Sequence, residues 1–159
     1  MVFNKILVAV DGGAPATRAA IAACALAKEL NSEVRLYHAV ELTTAAAQSA
    51  MSPADATKFA EQESQEIFAG LLGLTSSAPA PQGRWGLGDP VNRILQAAAD
   101  WPADLLVIGS HGRDGMIRMM MGSVAEKVTR QAPCPVLVVK ATEAASEAKR
   151  RSNQARRNL

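Results

Sequence analysis

The sequence predicts an α/β fold: a single-domain, open, parallel five-stranded sheet with helices on both faces. Short apolar runs alternate along the chain with longer segments of helical pattern, which implies βαβ crossovers. Three of the runs are almost continuously apolar and rich in β-branched residues, as in strands that are buried on both faces. The 159 residues match the length of one domain with one sizeable core.

Five segments are predicted to be strands, and in chain order they are KILVAV (5–10), EVRLYHAV (33–40), QGRWGLG (82–88), DLLVIG (104–109) and PVLVVK (135–140). The first, fourth and fifth are the apolar runs. In the second segment, apolar and polar residues alternate. His38 lies on the same side of this strand as Leu36, and Tyr37 lies on the other side. We expect His38 to be buried with a hydrogen-bond partner. The third is the weakest strand pattern, because three glycines interrupt it.

Four helices are predicted between these strands, and they cover residues 15–30, 53–72, 90–100 and 123–130. The first three begin with a proline near the first turn, in two cases after a typical N-cap residue: Pro15, Ser52-Pro53 and Asp89-Pro90. The fourth is expected to stop before Pro133. Residues 42–51 and 75–82 lack a periodic pattern and are predicted to be a loop and a linker.

The composition narrows the possible function classes. Aromatic residues make up 4% of the chain, too few for the stacking platforms of single-stranded nucleic-acid binding, so nucleic acid is not an expected partner. The two cysteines, Cys24 and Cys134, form no CxxC pair and predict reduced thiols in a cytoplasmic protein. Asp11 interrupts the N-terminal apolar run early, and no later segment reaches about 18 apolar residues without a charge. Neither a signal peptide nor a membrane partner is therefore expected.

The positive charge is concentrated at the end of the chain. Residues 141–159 hold five basic and two acidic side chains, a net charge of +3, whereas the rest of the chain is close to neutral. A basic tail can contact nucleic acid or membranes, but a solvated, frayed end accounts for the same composition. The expected organisation is a folded domain over residues 1–140 and a basic, disordered tail over residues 141–159.

A glycine-rich stretch follows the fourth predicted strand: GSHGRDGMIRMMMGSV, residues 109–124. In an open α/β sheet, ligands bind outside the carboxyl ends of the strands, where the strand order reverses. Three segments are expected to meet there: Asp11-Gly12-Gly13 after the first strand, the turn after Ala39, and this stretch. Gly109 and Gly112 let the backbone approach a ligand where a Cβ would collide.

The end of this stretch predicts an anion site. Gly122 and Ser123 open the fourth helix, and we expect their backbone amides to be free to bind an anion at the helix N-terminus. The Ser123 hydroxyl either adds a donor to a phosphate oxygen or caps its own helix. The stretch has no GK[ST] or GxGxxG pattern, so it is neither a Walker loop nor a dinucleotide-binding turn.

The spacing G-x2-G-x9-G-S after the fourth strand resembles the ATP-binding signature of the universal stress protein family. VAVDG near the N-terminus, VIGSHGR and GSVAEKVTRQAPCPVLVVK are also similar to that family, so the resemblance covers roughly residues 2–140. It implies an adenine nucleotide alpha hydrolase-like, Rossmann-like domain over residues 1–140 that binds ATP, with Mg²⁺ as a companion ion. It also implies a stress-response regulatory protein with slow or no ATP hydrolysis.

The resemblance further implies roles for individual residues. Asp11 matches a position near the adenosine and the metal, and Ala9 and Ala39 match positions beside the adenine. The loop that holds the ribose and the phosphates is matched by Ile108, Gly109, His111 and Gly112. The phosphate-binding helix start is matched by Gly122, Ser123 and Val124. Family members commonly pair their final strands across a dimer axis, which implies a homodimer through residues 135–140.

The first turn departs from the family pattern, and two other functions remain open. Asp11 is followed by Gly12-Gly13-Ala14, where many relatives carry a serine, so one hydroxyl near the expected ligand is missing. A nucleotide-independent interaction protein of the same fold would act through its dimer surface, although the intact glycine signature argues against it. An adenosine-nucleotide hydrolase or nucleotidyl transferase would lose turnover when Asp11 or His111 is replaced, but no residue is evidently placed to activate water.

Overall fold

The computed structural model describes residues 2–42, 51–75, 80–111 and 121–140, which form a five-stranded parallel sheet with helices on both faces. The predicted fold class is therefore confirmed. The strands are β1 (Lys5–Val10), β2 (Glu33–Val40), β3 (Gln82–Leu87), β4 (Leu105–Gly109) and β5 (Val136–Val139). Their order across the sheet is β3-β2-β1-β4-β5, so the order reverses between β1 and β4. The crevice expected to hold a ligand is thus the carboxyl edge of these two strands.

The four helices begin where the sequence predicts them to begin, within one residue. They are α1 (Ala14–Leu30), α2 (Pro53–Leu72), α3 (Pro90–Asp100) and α4 (Ser123–Gln131). The Ser52 hydroxyl accepts a hydrogen bond from the Asp55 amide at 3.1 Å, and the Asp89 carboxylate accepts one from the Asn92 amide at 2.9 Å. These two side chains satisfy amides that the first turns of α2 and α3 cannot pair internally, as the N-cap patterns predict.

Each face of the sheet carries two helices and its own apolar core. Helices α1 and α2 cover the face that includes Ile6, Leu36 and Phe68, and helices α3 and α4 cover the face that includes Leu7 and Leu106. The buried side of α1 consists of small residues: Ala16, Ala19, Ala20, Ala23, Cys24 and Ala27. Small side chains let a helix axis approach the sheet closely, which brings the start of α1 near the carboxyl edge of β1 and β4.

The buried environment predicted for His38 is confirmed. Its side chain is 3% exposed, and its Nδ1 atom lies 2.9 Å from the Ser64 hydroxyl of α2. That hydroxyl donates its proton to the Ala60 carbonyl, so the His38 Nδ1 atom is the donor to Ser64. This hydrogen bond connects α2 to β2 within the core.

Four strand ends differ from the predicted ones by one residue, and two of these have a clear cause. Strand β3 ends at Leu87 because Gly88 adopts a φ of 136°, outside the strand region. Strand β4 begins after Asp104, whose carboxylate accepts the amides of Asn4 and Lys5 at 2.9 Å each. Strand β5 is a residue shorter than predicted at each end.

Most of the predicted loop over 42–51, half of the linker over 75–82 and the whole tail over 141–159 lie outside the described residues. Within the described ranges, no helix combines the length and the apolar character that a membrane crossing requires.

Candidate functional site

The sheet register brings three of the predicted site residues to one face near the β1–β4 boundary. Ala9 of β1 lies beside Tyr37 of β2 on one side and beside Ile108 of β4 on the other. Ala9 and Ile108 belong to the core under α3 and α4, and Ala39 packs against that core. The alanine side chains are smaller than those of the neighbouring strand residues. Ala9 and Ala39 therefore leave a shallow depression in this face of the sheet near its carboxyl edge.

Tyr37 is a neighbour of this face that the sequence analysis did not single out. Its hydroxyl lies over Gly86 of β3, so close that a Cβ at Gly86 would collide with it. Burial raises the pKa of the Tyr37 hydroxyl, although the nearby positive charge of Arg93 acts in the opposite direction. The hydroxyl is therefore protonated and uncharged at neutral pH.

Asp11 closes the turn between β1 and α1. Its Oδ1 atom accepts a hydrogen bond from the Gly13 amide at 2.8 Å, and Gly12 adopts a φ of 78°, which glycine tolerates without strain. Gly13 is the N-cap of α1, and no described side chain caps this helix. The first intrahelical bond runs from the Thr17 amide to the Gly13 carbonyl at 3.0 Å. The N-terminus of α1 therefore opens directly onto the crevice beside Asp11.

A glycine is required at position 109, at the end of β4, because α1 packs directly against it. A Cβ built at this position would lie 2.8 Å from the carbonyl carbon of Pro15 and 2.9 Å from its Cβ. The sequence predicts that a ligand approaches this glycine, but the first turn of α1 makes the close approach. The end of β4 and the N-terminus of α1 consequently lie side by side.

Ser110 joins three segments of the crevice, and the sequence analysis missed it. The residue is 6% exposed; its amide donates to the Val139 carbonyl at 2.9 Å, and its carbonyl accepts the Gly122 amide at 2.7 Å. Its hydroxyl lies 3.0 Å from Nδ1 of His111. The available sequence signal was its position between Gly109 and His111. These bonds hold the start of α4 against the end of β4.

The N-terminus of α4 is the second helix end at this edge. Gly122 is its N-cap, and the first intrahelical bond runs from the Glu126 amide to the Gly122 carbonyl at 2.9 Å. Because Ser110 accepts the Gly122 amide, the amides left for an anion are those of residues 123–125. No described side chain caps the helix, so the Ser123 hydroxyl does not act as the cap. Positive potential is expected at such an end.

Of the three remaining predicted site residues, the structure describes two. His111 is half-buried directly after Ser110, at the same edge of the sheet. Gly112 falls in 112–120, which the structure does not describe. Val124 is half-buried in the first turn of α4, where it packs against the core on this face.

A metal ion at this edge would depend on Asp11. Within the described part of the chain, no group of three or more His, Cys, Asp or Glu side chains could hold a metal ion. A carboxylate has about four acceptor positions, so accepting the Gly13 amide does not prevent Asp11 from ligating a cation. Such a site fits Mg²⁺, which keeps several waters and binds through one or two carboxylates together with phosphate oxygens.

Comparison with known proteins identifies the family. Residues 3–140 match the universal stress protein family. The chain is 33% identical over 150 residues to the universal stress protein YxiE of Bacillus subtilis, with 87% of this chain and 99% of that protein covered. Its fold is similar to that of the universal stress protein UspA from Lactobacillus plantarum, with a TM-score of 0.69, 26% identity and coverage of 87% and 99% of the two chains.

Two further solved structures with this fold are nucleotide complexes. One is a universal stress protein in complex with cAMP, with a TM-score of 0.63, 21% identity and coverage of 89% and 100%. The other is the universal stress protein from Archaeoglobus fulgidus in complex with dAMP, with a TM-score of 0.56, 23% identity and coverage of 88% and 100%. At these identities the likeness shows the fold alone. The family match over nearly the whole domain, together with the 33% identity to the Bacillus subtilis protein, shows that this chain belongs to the universal stress protein family.

Proposed function

We propose that this protein is a cytoplasmic stress-response regulator that binds an adenine nucleotide, ATP with Mg²⁺, and hydrolyses it slowly or not at all. One observation supports this proposal above the others. Two helix N-termini, those of α1 and α4, open onto the strand-order reversal between β1 and β4, and no side chain in the described part of the chain caps either of them. Such a pair favours a ligand with several negative charges, as a polyphosphate has.

The nucleotide is proposed to lie across the carboxyl edge, with its base and its phosphates on different residues. The adenine would rest against Ala9 and Ala39, where small side chains cover the sheet least. The ribose and the phosphates would contact the loop after β4, represented by Ile108, Gly109, His111 and Gly112. The phosphates would accept hydrogen bonds from the start of α4, represented by Gly122, Ser123 and Val124, although the Gly122 amide is already bonded to Ser110. The complexes of related folds with cAMP and dAMP support an adenine nucleotide as the ligand class.

The proposal is tested by calorimetric titration of the full chain with ATP and Mg²⁺. We expect measurable heat and a rise in the midpoint of thermal unfolding, because a ligand that binds only the folded state stabilises it. The alternative that the sequence leaves open, a dimeric interaction protein that needs no nucleotide, predicts neither effect at millimolar ATP. ATP turnover above about one per minute would instead favour the hydrolase or transferase that the sequence leaves open.

Replacing Asp11 by asparagine is expected to remove most of the Mg²⁺ dependence of ATP binding. Asparagine keeps an oxygen that can accept the Gly13 amide, so the turn should survive, but it loses the charge that attracts the cation. We expect affinity for ATP with Mg²⁺ to fall about 10-fold and affinity in the presence of a chelator to change little. Titrations of both proteins under both conditions measure this. An unchanged ratio of the two affinities would remove Asp11 from the proposed metal site.

We also propose that two copies pair through strand β5, which is an edge of the sheet. Leu137 on this strand is 40% exposed, and an apolar edge strand exposes unpaired backbone groups that a second strand can satisfy. Leu137→Glu would bring like charges together at the pairing axis and is expected to weaken dimerisation at least about 10-fold, as measured by sedimentation. Leu72→Glu, at a residue 43% exposed on α2, is the matched control and should not change the dimer. Equal dissociation by both variants would contradict pairing through β5.

A further inference from the structure

A groove separates helices α1 and α2 on the face of the sheet opposite α3 and α4. Its volume is about 470 Å³. Gly12 and Thr17 line it at the start of α1, and the second half of α2 and the residues after it supply Glu63, Ile67 and Leu74 among others. Leu74 is 60% exposed, so the groove combines an open apolar surface with polar walls. We call it the α1–α2 groove.

The α1–α2 groove is acidic. Among the described residues, the charged ones that line it are Glu63 and Glu66, which lie three positions apart and therefore on the same side of α2. Gln62 donates to the Glu66 carboxylate at 3.2 Å, which leaves that carboxylate further acceptor positions. Helix α2 as a whole carries four acidic residues and one basic residue. The groove therefore favours a basic segment with long aliphatic side chains.

The basic tail of this chain follows Lys140, which contacts α1, one of the two helices that form the groove. The last described residue, Lys140, has its carbonyl bonded to Nη2 of Arg18 at 2.8 Å. Arg18 directly follows Thr17, which lines the groove, so the tail leaves the domain next to the first turns of α1. From this point the tail must pass one helix, about 10–12 Å across, to reach the groove.

The length of the tail is sufficient for that path. Its first basic cluster, Lys149-Arg150-Arg151, stands nine to eleven residues after Lys140. An extended chain of nine residues spans up to about 30 Å, more than twice the diameter of a helix. A short tether also keeps the local concentration of the cluster near the groove in the millimolar range, so weak ion pairs suffice to populate the contact.

We propose that residues 141–159 dock in the α1–α2 groove of their own chain, with Lys149, Arg150 and Arg151 against Glu63 and Glu66. The net charge of +3 on the tail complements the two carboxylates, and the aliphatic stems of the basic side chains cover Ile67 and Leu74. Gly12 belongs both to this groove and to the turn after β1, so the docked tail lies next to the crevice. The docking itself does not depend on nucleotide binding.

A zero-length carbodiimide crosslink on the nucleotide-free full chain tests this proposal. Lys149 is the single lysine of the tail, and such a crosslink joins it only to a carboxylate in direct contact. We expect mass spectrometry to find Lys149 joined to Glu63 or Glu66. Equal mixtures of light and ¹⁵N-labelled chains should yield crosslinks within one chain. Salt at about 1 M, which shortens the Debye length to about 3 Å, should lower the yield severalfold.

Variants of α2 provide the controls. The double variant Glu63→Gln with Glu66→Gln should lose the crosslink, whereas Glu61→Gln, an exposed acidic residue of the same helix that does not line the groove, should keep it. Crosslinks distributed equally over Glu61 and the groove carboxylates, or formed only between different chains, would overturn the proposal. A chain that gives no crosslink but binds heparin or anionic vesicles through residues 149–151 would overturn it in favour of an external polyanion.

Discussion

Replacing Ser123 by proline is expected to weaken ATP binding about 10- to 100-fold while the domain stays folded. Proline removes one of the amides proposed to bind phosphate, and a hydrogen bond to a charged group contributes about 1.5–3 kcal/mol. Position 123 is the first residue of α4, where proline is well tolerated. Gly122 already has φ −63° and ψ 153°, the conformation that a residue before proline prefers. Calorimetric titration measures the loss, and thermal unfolding verifies the fold.

Ser123→Ala is the matched control for this prediction. It removes the hydroxyl and keeps the amide, so it separates the side chain from the backbone at the same position. If the amides carry the interaction, Ser123→Ala should cost much less affinity than Ser123→Pro. Equal losses in the two variants would assign the interaction to the hydroxyl, and no loss in either would mean that phosphate does not bind the start of α4.

Replacing Gly109 by alanine is expected to destabilise the domain by about 3 kcal/mol. The added Cβ would meet the backbone of Pro15 at 2.8 Å, and backbone in the first turn of a packed helix moves less readily than the end of a flexible side chain. Relief of the contact requires α1 to shift away from β4, which also disturbs the turn after Asp11. The free energy of unfolding in urea measures the cost.

Gly70→Ala, a glycine-to-alanine change at another position, is expected to stabilise the domain instead. Apart from the helix's own backbone, a Cβ at Gly70, within α2, would meet no atom of the described residues within 4 Å, so the change should stabilise the helix by about 0.5–1 kcal/mol. If Gly109→Ala proves as harmless as Gly70→Ala, the close contact between β4 and α1 does not constrain the domain.

Most of the fold could be predicted because local signals and hydrophobic pattern agree. The cap residues Ser52 and Asp89 precede helices that begin at the predicted prolines, and two of the three apolar runs form the interior strands β1 and β4. The strand ends were predicted less well, since they depend on tertiary contacts. Asp104, for example, binds amides of residues 4 and 5, a hundred positions away in sequence.

The crevice could be located from the sequence, but its internal bonding could not. Glycine spacing and position after a strand predict where Gly109 and Gly122 lie, because parallel strands end at a common edge. Spacing does not reveal that Pro15 occupies the space beside Gly109, or that Ser110 takes the Gly122 amide. The contact between Pro15 and Gly109 joins segments far apart in the chain, and so does the α1–α2 groove.

Nucleotide binding as proposed requires that the backbone amides at the start of α4 bind phosphate. A comparison of ¹H–¹⁵N spectra with ATP and with adenosine, which has no phosphate, tests it most directly. We predict that the amide signals of residues 123–125 shift strongly with ATP and hardly at all with adenosine. If these three signals do not move at saturating ATP, phosphate does not bind the start of α4, and the proposed site is wrong.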